Sequence, residues 1–268
     1  MGEIRCRGAG ETFFQTRAIL LDLPSYPVTL TPAITLSMLL LGHRGSPQTH
    51  LENTLNGFEH ALERGLDGLE TDAQPTRDGR FLIHHDPHLP DGRRIAALTL
   101  FEIQRDFPEL PSLENLLEWA VTQPNFHLNL ELKNDSNTHD GREAKLISAL
   151  ERLLPANGFL RGNLVISCFN PLSLWRMRSG GFKLGFLYHP KYLPAWLIEL
   201  GWRLPLYSVH PHFSVVNQKL LERAEKRGLK VFTWTVNEKE DAERLARAGV
   251  DGMIGDYPQI LLDAREKP

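Results

Sequence analysis

Few features of the sequence would place the protein outside a reducing, aqueous compartment. Its 268 residues include two cysteines, Cys6 and Cys168, whose separation matches neither a disulfide framework nor a metal-ligand spacing. No apolar run is long enough to span a bilayer, and the short run Ala18–Leu23, which Asp22 interrupts, is not followed by a secretory cleavage site. These absences predict a cytoplasmic protein without stable membrane insertion.

An excess of charge of either sign is also missing. The chain carries 30 Lys and Arg against 33 Asp and Glu, a formal net charge of −3. This balance argues against a nucleic-acid partner, and it means that any anionic substrate must be met by local groups. Internal repeats are not evident, and the length suits one barrel domain of about 250 residues.

The first 37 residues have no clean helical or strand period, and they contain Pro24, Pro27 and Pro32. We therefore expect residues 1–37 to form an irregular extension, outside a single catalytic domain of residues 38–268. One hypothesis is that translation starts at Met38 and that the extension is an error of gene prediction. Mass spectrometry of the natural protein would exclude this hypothesis if the N-terminus lay upstream of Met38.

From Met38 onward, short apolar runs alternate with longer amphipathic ones, which is typical of βα units around a parallel sheet. Nine strands are predicted, at Met38–Gly42, Asp67–Asp72, Arg80–His85, Phe126–Lys133, Leu164–Ser167, Lys183–Tyr188, Tyr207–Val209, Lys230–Val236 and Asp251–Ile254. Helices are predicted at Asn53–Arg64, Ser112–Thr122, Arg142–Leu154, Pro171–Arg178, Leu193–Leu200, Val215–Arg227 and Glu238–Ala248. The insertion Pro87–Pro111 is predicted to be an irregular loop near the site.

The connection between the second and third strands decides the architecture. Pro75–Gly79 is too short for a parallel crossover and contains Asp78-Gly79, which indicates a hairpin turn. The third strand then returns antiparallel, and the expected register places His85 opposite Glu70 and turns His84 to the other face. Eight parallel strands remain, so the predicted fold is a (β/α)8 TIM barrel with an antiparallel hairpin arm after the second strand.

Polar residues at the ends of barrel strands are the candidates for a site, because the active site of such a barrel lies at that edge. Glu70 and Asp72 are two apart on one strand and share a face, and Glu131 ends a neighbouring strand. Three carboxylates close together repel one another, so a bound cation would stabilise them. Oxygen ligands favour a hard divalent cation, Mg²⁺ or Ca²⁺.

Groups that suit a phosphate ester also lie at strand ends. Arg44 offers a bidentate guanidinium and Lys133 a point charge for an anionic group. His43 and His85 are able to take and give protons near neutral pH, as general acid–base catalysis requires. Trp234 lies near the end of another predicted strand, where core packing and a substrate-contacting wall are equally compatible with the sequence.

Each of these residues also has an ordinary structural explanation. Paired carboxylates are usually solvated rim residues, isolated histidines are mostly structural, and Glu131 and Lys133 alone would suit a surface ion pair. His210 and His212 end a further strand, and the sequence does not decide whether they reach the site. Only the joint occurrence of these groups indicates a metal-assisted phosphoester hydrolase.

Taken together, the motifs resemble those of the glycerophosphodiester phosphodiesterases. The resemblance extends from Leu39 to about Leu262. It rests on Gly42-His43-Arg44-Gly45, Glu52-Asn53-Thr54, Gly68-Leu69-Glu70-Thr71-Asp72, Thr76-Arg77-Asp78-Gly79, His85-Asp86, Pro111-Ser112-Leu113-Glu114, Asn129-Leu130-Glu131-Leu132-Lys133, Ser167-Cys168-Phe169, Trp234-Thr235-Val236-Asn237 and Asp251-Gly252-Met253-Ile254-Gly255-Asp256-Tyr257-Pro258.

The resemblance implies a metal-dependent TIM barrel that hydrolyses glycerophosphodiesters to glycerol 3-phosphate and an alcohol. Carried over by position, it implies His43 and His85 as the acid–base pair, Arg44, Lys133 and Trp234 as substrate contacts, and Glu70, Asp72 and Glu131 as metal ligands. It also implies that Glu52 orients the ring of His43 or joins the metal shell. Two departures, Leu51 in place of the usual proline and a different segment after Pro87, concern the entrance of the site.

Three other functions are compatible with such a barrel. One is lysophospholipase D or phospholipase C-like activity on a lipid phosphodiester, although no hydrophobic membrane-binding loop stands out in the sequence. A second is a catalytically idle binding module, which the full set of histidines and acids argues against. A third is a metal-dependent amide hydrolase, whose His-x-His spacing is matched by His210 and His212 but without the accompanying ligands.

Overall fold

The computed structural model describes residues 38–134, 139–155 and 158–266. The predicted extension at residues 1–37, together with Cys6, therefore lies outside the described residues. Cys168, which ends the strand Leu164–Cys168, is buried. No helix among the described residues is long and apolar enough to cross a bilayer.

Nine strands form one sheet in the described chain, and all nine match predicted segments to within a few residues. Strand β1 pairs in parallel with both β2 and β9, so the sheet closes into a barrel. Eight strands run parallel, and β3 pairs antiparallel with β2 alone. The predicted TIM barrel with one hairpin arm is confirmed. The strands are β1 Leu39–His43, β2 Gly68–Pro75, β3 Phe81–Ile83, β4 His127–Leu132, β5 Leu164–Cys168, β6 Lys183–Tyr188, β7 Ser208–Pro211, β8 Lys230–Thr233 and β9 Gly252–Gly255.

Helices cover the outside of the barrel, and their apolar sides form the main core with the outward side chains of the strands. Seven of them correspond to predicted helices, whereas α2, α5 and α10 were not predicted. The helices are α1 Leu55–Glu63, α2 Leu100–Asp106, α3 Leu113–Ala120, α4 Arg142–Leu153, α5 Phe159–Asn163, α6 Pro171–Met177, α7 Ala195–Trp202, α8 Gln218–Glu225, α9 Lys239–Ala248 and α10 Pro258–Glu266.

The hairpin between β2 and β3 has a register one residue different from the predicted one. Ala73 pairs with Ile83, and the main-chain N–H of His84 donates to the carbonyl oxygen of Asp72 at 2.9 Å. Continuing this register would place His85 opposite Thr71, so the predicted pairing with Glu70 is wrong. The strand ends at Ile83, and a bend at residues 85–87 then sets the direction of the His85 side chain.

The insertion Pro87–Pro111 is ordered, which corrects the prediction of an irregular loop. It contains a 3₁₀ turn at Ile95–Ala97 and helix α2, whose start is closed by a capping box between Thr99 and Glu102. Its apolar side chains form a second small core with the arm: Leu82, Leu89, Ile95, Leu100, Ile103 and Leu110. Within the described chain, Pro87 is the residue of the insertion that lines the main cavity, so the rest packs beside the arm and does not cover the site.

Candidate active site

A cavity of about 610 Å³ opens at the carboxyl ends of the parallel strands. All eight predicted site residues line it, which brings together side chains from β1, β2, β4, the segment after β3 and the segment after β8. They are His43, Arg44, Glu70, Asp72, His85, Glu131, Lys133 and Trp234. The eight residues thus share one cavity, while their chemical roles stay predictions.

Three buried carboxylates form an acidic cluster at the floor of the cavity. One oxygen from each of Glu70, Asp72 and Glu131 lies within 4.8 Å of the others. Their proximity follows from the sheet, because Asp72 is paired with Glu131 across β2 and β4 and Glu70 is two residues away on the same face. Burial and the charges of the other two acids raise the pKa of Glu70 well above its usual value, so this cluster favours a positive partner.

Lys133 lies inside the acidic cluster. Its Nζ is 2.9 Å from Asp72 Oδ1 and 2.8 Å from Glu131 Oε1, and the residue is only 6 % exposed. Burial alone would lower the pKa of Lys133, but the two carboxylates outweigh it and raise the pKa, so the ammonium stays charged. Burial likewise would raise the pKa of Asp72, yet the charges of Lys133 and Arg44 hold it below its usual value.

Arg44 follows the last residue of β1 and has a left-handed backbone conformation, with φ of 54°. Its NH1 group is 3.1 Å from both carboxylate oxygens of Glu52, and its Nε is 3.4 Å from Asp72 Oδ2. Glu52 therefore holds the guanidinium, and among the described residues no hydrogen bond or ion pair joins it to the ring of His43, so its predicted role in orienting that ring stays a prediction. It is absent from the acidic cluster of the described residues, which counts against its other predicted role, in the metal shell.

His43 is oriented by two residues that the sequence did not single out as functional. Its Nδ1 lies 2.6 Å from Asp256 Oδ1, and the side-chain amide of Asn237 donates to Asp256 Oδ2 at 2.6 Å. The main-chain N–H of Asp256 donates back to Asn237 Oδ1 at 2.9 Å, so the two loops after β8 and β9 hold each other. The other ring nitrogen, Nε2, is directed to the acidic side of the cavity, 3.9 Å from Glu70 Oε2.

The sequence contained a signal for Asp256. It is the first polar residue after the buried strand β9, which is the same rule that selected Arg44 and the acids. Burial would raise the pKa of Asp256, but the hydrogen bond with His43 lowers it, so the carboxylate is ionised and accepts from the ring. We expect this contact to fix which nitrogen of His43 carries the proton.

His85 lines the cavity and His84 does not. The Nδ1 atom of His85 is 2.7 Å from Asp86 Oδ1, and its carbonyl oxygen accepts a hydrogen bond from Gln74 Nε2 at 2.8 Å. These contacts hold the bend that points the ring inward. Burial, and then the charge of Lys133, lowers the pKa of His85. The neutral imidazole of His85 is therefore more favoured than it would be in a free histidine.

Trp234 forms part of an apolar wall opposite the acids. Its indole N–H donates to the carbonyl oxygen of His210 at 2.8 Å, and its ring meets Phe169 edge-to-face at 5.4 Å. His210 itself lies below the cavity, where complete burial lowers its pKa to about 3. His212 packs on the outer side of Trp234, at 5.2 Å between rings. Neither histidine lines the cavity of the described chain, so the amide-hydrolase interpretation loses its characteristic ligands.

The contact between Asp256 and His43 leads to a direct test. Replacing Asp256 by Asn removes the acceptor charge. With His43 in its predicted acid–base role, this change is expected to lower kcat by about 10- to 100-fold with little change in KM, because the ring would lose its fixed orientation. Steady-state kinetics with glycerophosphocholine would measure both constants. Asp263→Asn is the matched control, because Asp263 is a half-buried acid on α10 that accepts a hydrogen bond from Gln259 and does not line the cavity. Equal kcat values for wild type and Asp256→Asn would contradict the positioning role.

Comparison with known proteins identifies relatives over nearly the whole barrel. The model of the glycerophosphoryl diester phosphodiesterase family matches residues 43–260. A glycerophosphodiester phosphodiesterase of Caldanaerobacter subterraneus subsp. tengcongensis is 33 % identical over 246 residues, which is 85 % of this chain and 98 % of the relative. A human lysophospholipase D is 24 % identical over 269 residues, 83 % of this chain and 84 % of the relative.

Solved structures give the same result. A crystal structure described as a glycerophosphoryl diester phosphodiesterase of Silicibacter pomeroyi superposes with a TM-score of 0.75 at 28 % identity, covering 84 % of this chain and 93 % of the other. A phosphodiesterase of Oleispira antarctica in complex with the product sn-glycerol-3-phosphate has a TM-score of 0.69 at 27 % identity, covering 85 % and 96 % of the two chains.

Proposed function

Because the chain belongs to the glycerophosphoryl diester phosphodiesterase family, we propose that it hydrolyses glycerophosphodiesters to glycerol 3-phosphate and an alcohol by two-histidine, metal-dependent catalysis. The observation that carries the proposal is the convergence of three acids, two cations and two histidines at one cavity. These are the groups needed to hold a phosphodiester, neutralise its charge and transfer protons. The product sn-glycerol-3-phosphate, seen with the Oleispira antarctica phosphodiesterase, supports this choice of substrate.

The acidic cluster fits a divalent cation. Its donors are all oxygens, their mutual distances allow one ion to contact all three residues, and burial together with the charges of Asp72 and Glu131 raises the pKa of Glu70. Such a donor set favours Mg²⁺ or Ca²⁺, with Glu70, Asp72 and Glu131 as the ligands. A bound ion would supply positive charge for the phosphoryl oxygens and for the charge that develops during reaction.

Three side chains of the cavity are assigned to substrate binding. Arg44 is fixed by Glu52, so its fork presents a fixed positive charge at the mouth of the cavity, and we assign it to the phosphate. Lys133 is assigned to the phosphate as well, although its ammonium contacts Asp72 and Glu131 here. Through those contacts it also lowers the cost of keeping the acids ionised. The ring of Trp234 is assigned to the substrate wall.

His43 and His85 are assigned to proton transfer. In one route, one histidine takes the proton of the glycerol 2-hydroxyl while that oxygen attacks phosphorus, and the other gives a proton to the departing alcohol. Water then opens the resulting cyclic phosphate, with the two roles exchanged. In the other route water attacks phosphorus directly. A substrate without the 2-hydroxyl distinguishes the two routes. The cyclic route predicts that this substrate is not turned over, because the attacking oxygen is missing, whereas direct attack by water predicts that its turnover is retained.

A lipid phosphodiester is the second candidate substrate, and two observations favour keeping it. A relative is a lysophospholipase D, and the cavity has an apolar side formed by Phe169, Leu187, Leu193 and Trp234. Turnover of glycerophosphocholine, glycerophosphoethanolamine and lysophosphatidylcholine under identical conditions tests the proposal. We expect the water-soluble diesters to be hydrolysed, and turnover of the lysolipid alone would replace the main proposal with the second one.

The domain bounds and the cellular location are further proposals. We place the catalytic domain at residues 38–268 and the extension at residues 1–37 outside it. The cytoplasmic location rests on the two cysteines without a disulfide spacing, and it stays a prediction.

A further inference from the structure

Helix α7 is apolar on all sides and yet lies on the surface. Its sequence is AWLIELGW, and Glu199 is its one charged residue. Its C-terminal end is anchored, because Trp202 is buried and Gly201 lies so close to Phe186 that a methyl group there would meet the ring. Trp196 in its first turn is 69 % exposed. A helix that is apolar all round is normally covered on every side, so the outer side of α7 needs a partner.

The exposed surface continues into the cavity. Trp196 and Leu200 are four residues apart and share the outer face of α7. Tyr192, just before the helix, is 62 % exposed and also lines the cavity together with Leu193. On the neighbouring helix α6, Leu172 is exposed near the same end of the barrel. Apolar and aromatic side chains therefore lead from the outer surface to the candidate active site.

Exposed basic residues lie on the elements that carry this apolar surface. Between Pro171 and Leu206 the sequence has five basic residues and one acidic residue, although the whole chain has slightly more acids than bases; of the five, Arg176 is paired with Glu143 and Lys183 contacts the carbonyl oxygen of Gly162. Glu199 is neutralised by Arg223 at 2.8 Å. Arg178, Lys191 and Arg203 are exposed, and none of them forms an ion pair with another described residue. Arg178 lies 3.7 Å from the ring centre of Trp175, and Lys191 lies 5.5 Å from that of Tyr192.

From these observations we infer that α7 and the preceding segment, residues 191–202, form a docking surface for an anionic phospholipid membrane. Tryptophan and tyrosine prefer the boundary between headgroups and acyl chains, where an exposed apolar helix can lie in the plane of the membrane. Exposed basic residues beside such a helix add attraction to anionic lipids. The charges around residues 191–202 therefore favour a membrane over an apolar protein partner.

Docking by this surface differs from insertion across the bilayer. The segment before α7 reaches the cavity, so a docked molecule would present its active site near the lipid headgroups. This arrangement would suit hydrolysis of phosphodiesters that leave, or lie in, a membrane. The docking itself does not depend on the proposed chemistry, since residues 191–202 contain no assigned catalytic or metal-binding group.

Co-sedimentation of the full chain with vesicles tests the inference. We expect binding to vesicles of phosphatidylcholine and phosphatidylserine, weaker binding to phosphatidylcholine alone, and further weakening by salt. The double variant Trp196→Ser, Leu200→Ser is expected to bind about tenfold more weakly or worse, because two exposed apolar groups are lost. Its turnover of water-soluble glycerophosphocholine should equal that of wild type, which also shows that it is folded.

Two controls make the result specific. Phe101→Ser removes an equally exposed aromatic side chain from α2 and should leave vesicle binding unchanged. His85→Gln should bind vesicles like wild type, so that failure of the catalytic proposal remains distinguishable from failure of docking. Absence of wild-type binding to the mixed vesicles would overturn the inference, as would equal binding by the double variant. A dimer in light scattering that the double variant loses would assign the surface to a second copy instead.

Discussion

His85→Gln is expected to lower kcat for glycerophosphocholine by about 10²- to 10⁴-fold, whereas His84→Gln should retain a rate within about twofold of wild type, because only a group at the substrate can transfer its proton. His84 and His85 are adjacent and chemically identical. Comparing the two variants therefore measures the effect of the side chain's position alone. His85 lines the cavity, while the Nε2 of His84 lies 3.2 Å from the carbonyl oxygen of His88 outside it. Single-turnover kinetics would separate the reaction step from product release.

His43→Gln is expected to cause a loss of the same size. Its Nδ1 is held by Asp256 and its Nε2 lies 3.9 Å from Glu70 Oε2, so the ring has a fixed orientation in the cavity, as its proposed role in proton transfer requires. Circular dichroism and thermal unfolding would confirm that each variant folds. Near-normal turnover by His85→Gln, or an equal loss of turnover in His84→Gln, would refute the assignment of His85 to proton transfer.

The case of His85 shows how far the sequence determines the site. Strand alternation correctly grouped Glu70 with Asp72, since side chains two apart on a strand must share a face. The same rule failed in the arm, because β3 ends at Ile83 and the register differs by one residue. His85 reaches the cavity through a bend held by Gln74 and Asp86, and such tertiary contacts leave no periodic pattern in the sequence.

Other differences have similar causes. Asp256 acts on His43 from 213 positions away, so the pairing appears only when the barrel closes β9 onto β1. Helix α2 has seven residues, too few for its spacing of apolar side chains to stand out from a loop. Helix α7 was predicted as a helix, but nothing in its local pattern shows that part of its apolar surface stays exposed. Element order and strand ends are thus readable from local patterns, whereas orientation and exposure depend on neighbours that the sequence does not reveal.

Removal of divalent cations is expected to lower turnover by at least about 100-fold, with recovery on adding Mg²⁺ or Ca²⁺, because an ion held by the acidic cluster would stabilise the charge that develops on the phosphate. The acidic cluster predicts a second effect that does not depend on activity. A cation that binds only the folded chain raises the free energy of unfolding, by about 2.7 kcal/mol at a concentration of 100 times Kd. Thermal unfolding with and without the cation would measure this stabilisation.

Glu70→Gln sharpens the test, because it removes one charge and keeps nearly the same volume. The pKa of Glu70 is raised by burial and by the neighbouring acids, so its ionised form costs stability in the folded state at neutral pH. Without metal, the variant should therefore be at least as stable as wild type, yet it should gain much less from the cation and lose activity. Glu59→Gln, an exposed acid on α1, should behave like wild type. Equal cation-induced stabilisation of Glu70→Gln and wild type, or full activity after exhaustive chelation, would show that the acidic cluster is not a metal site.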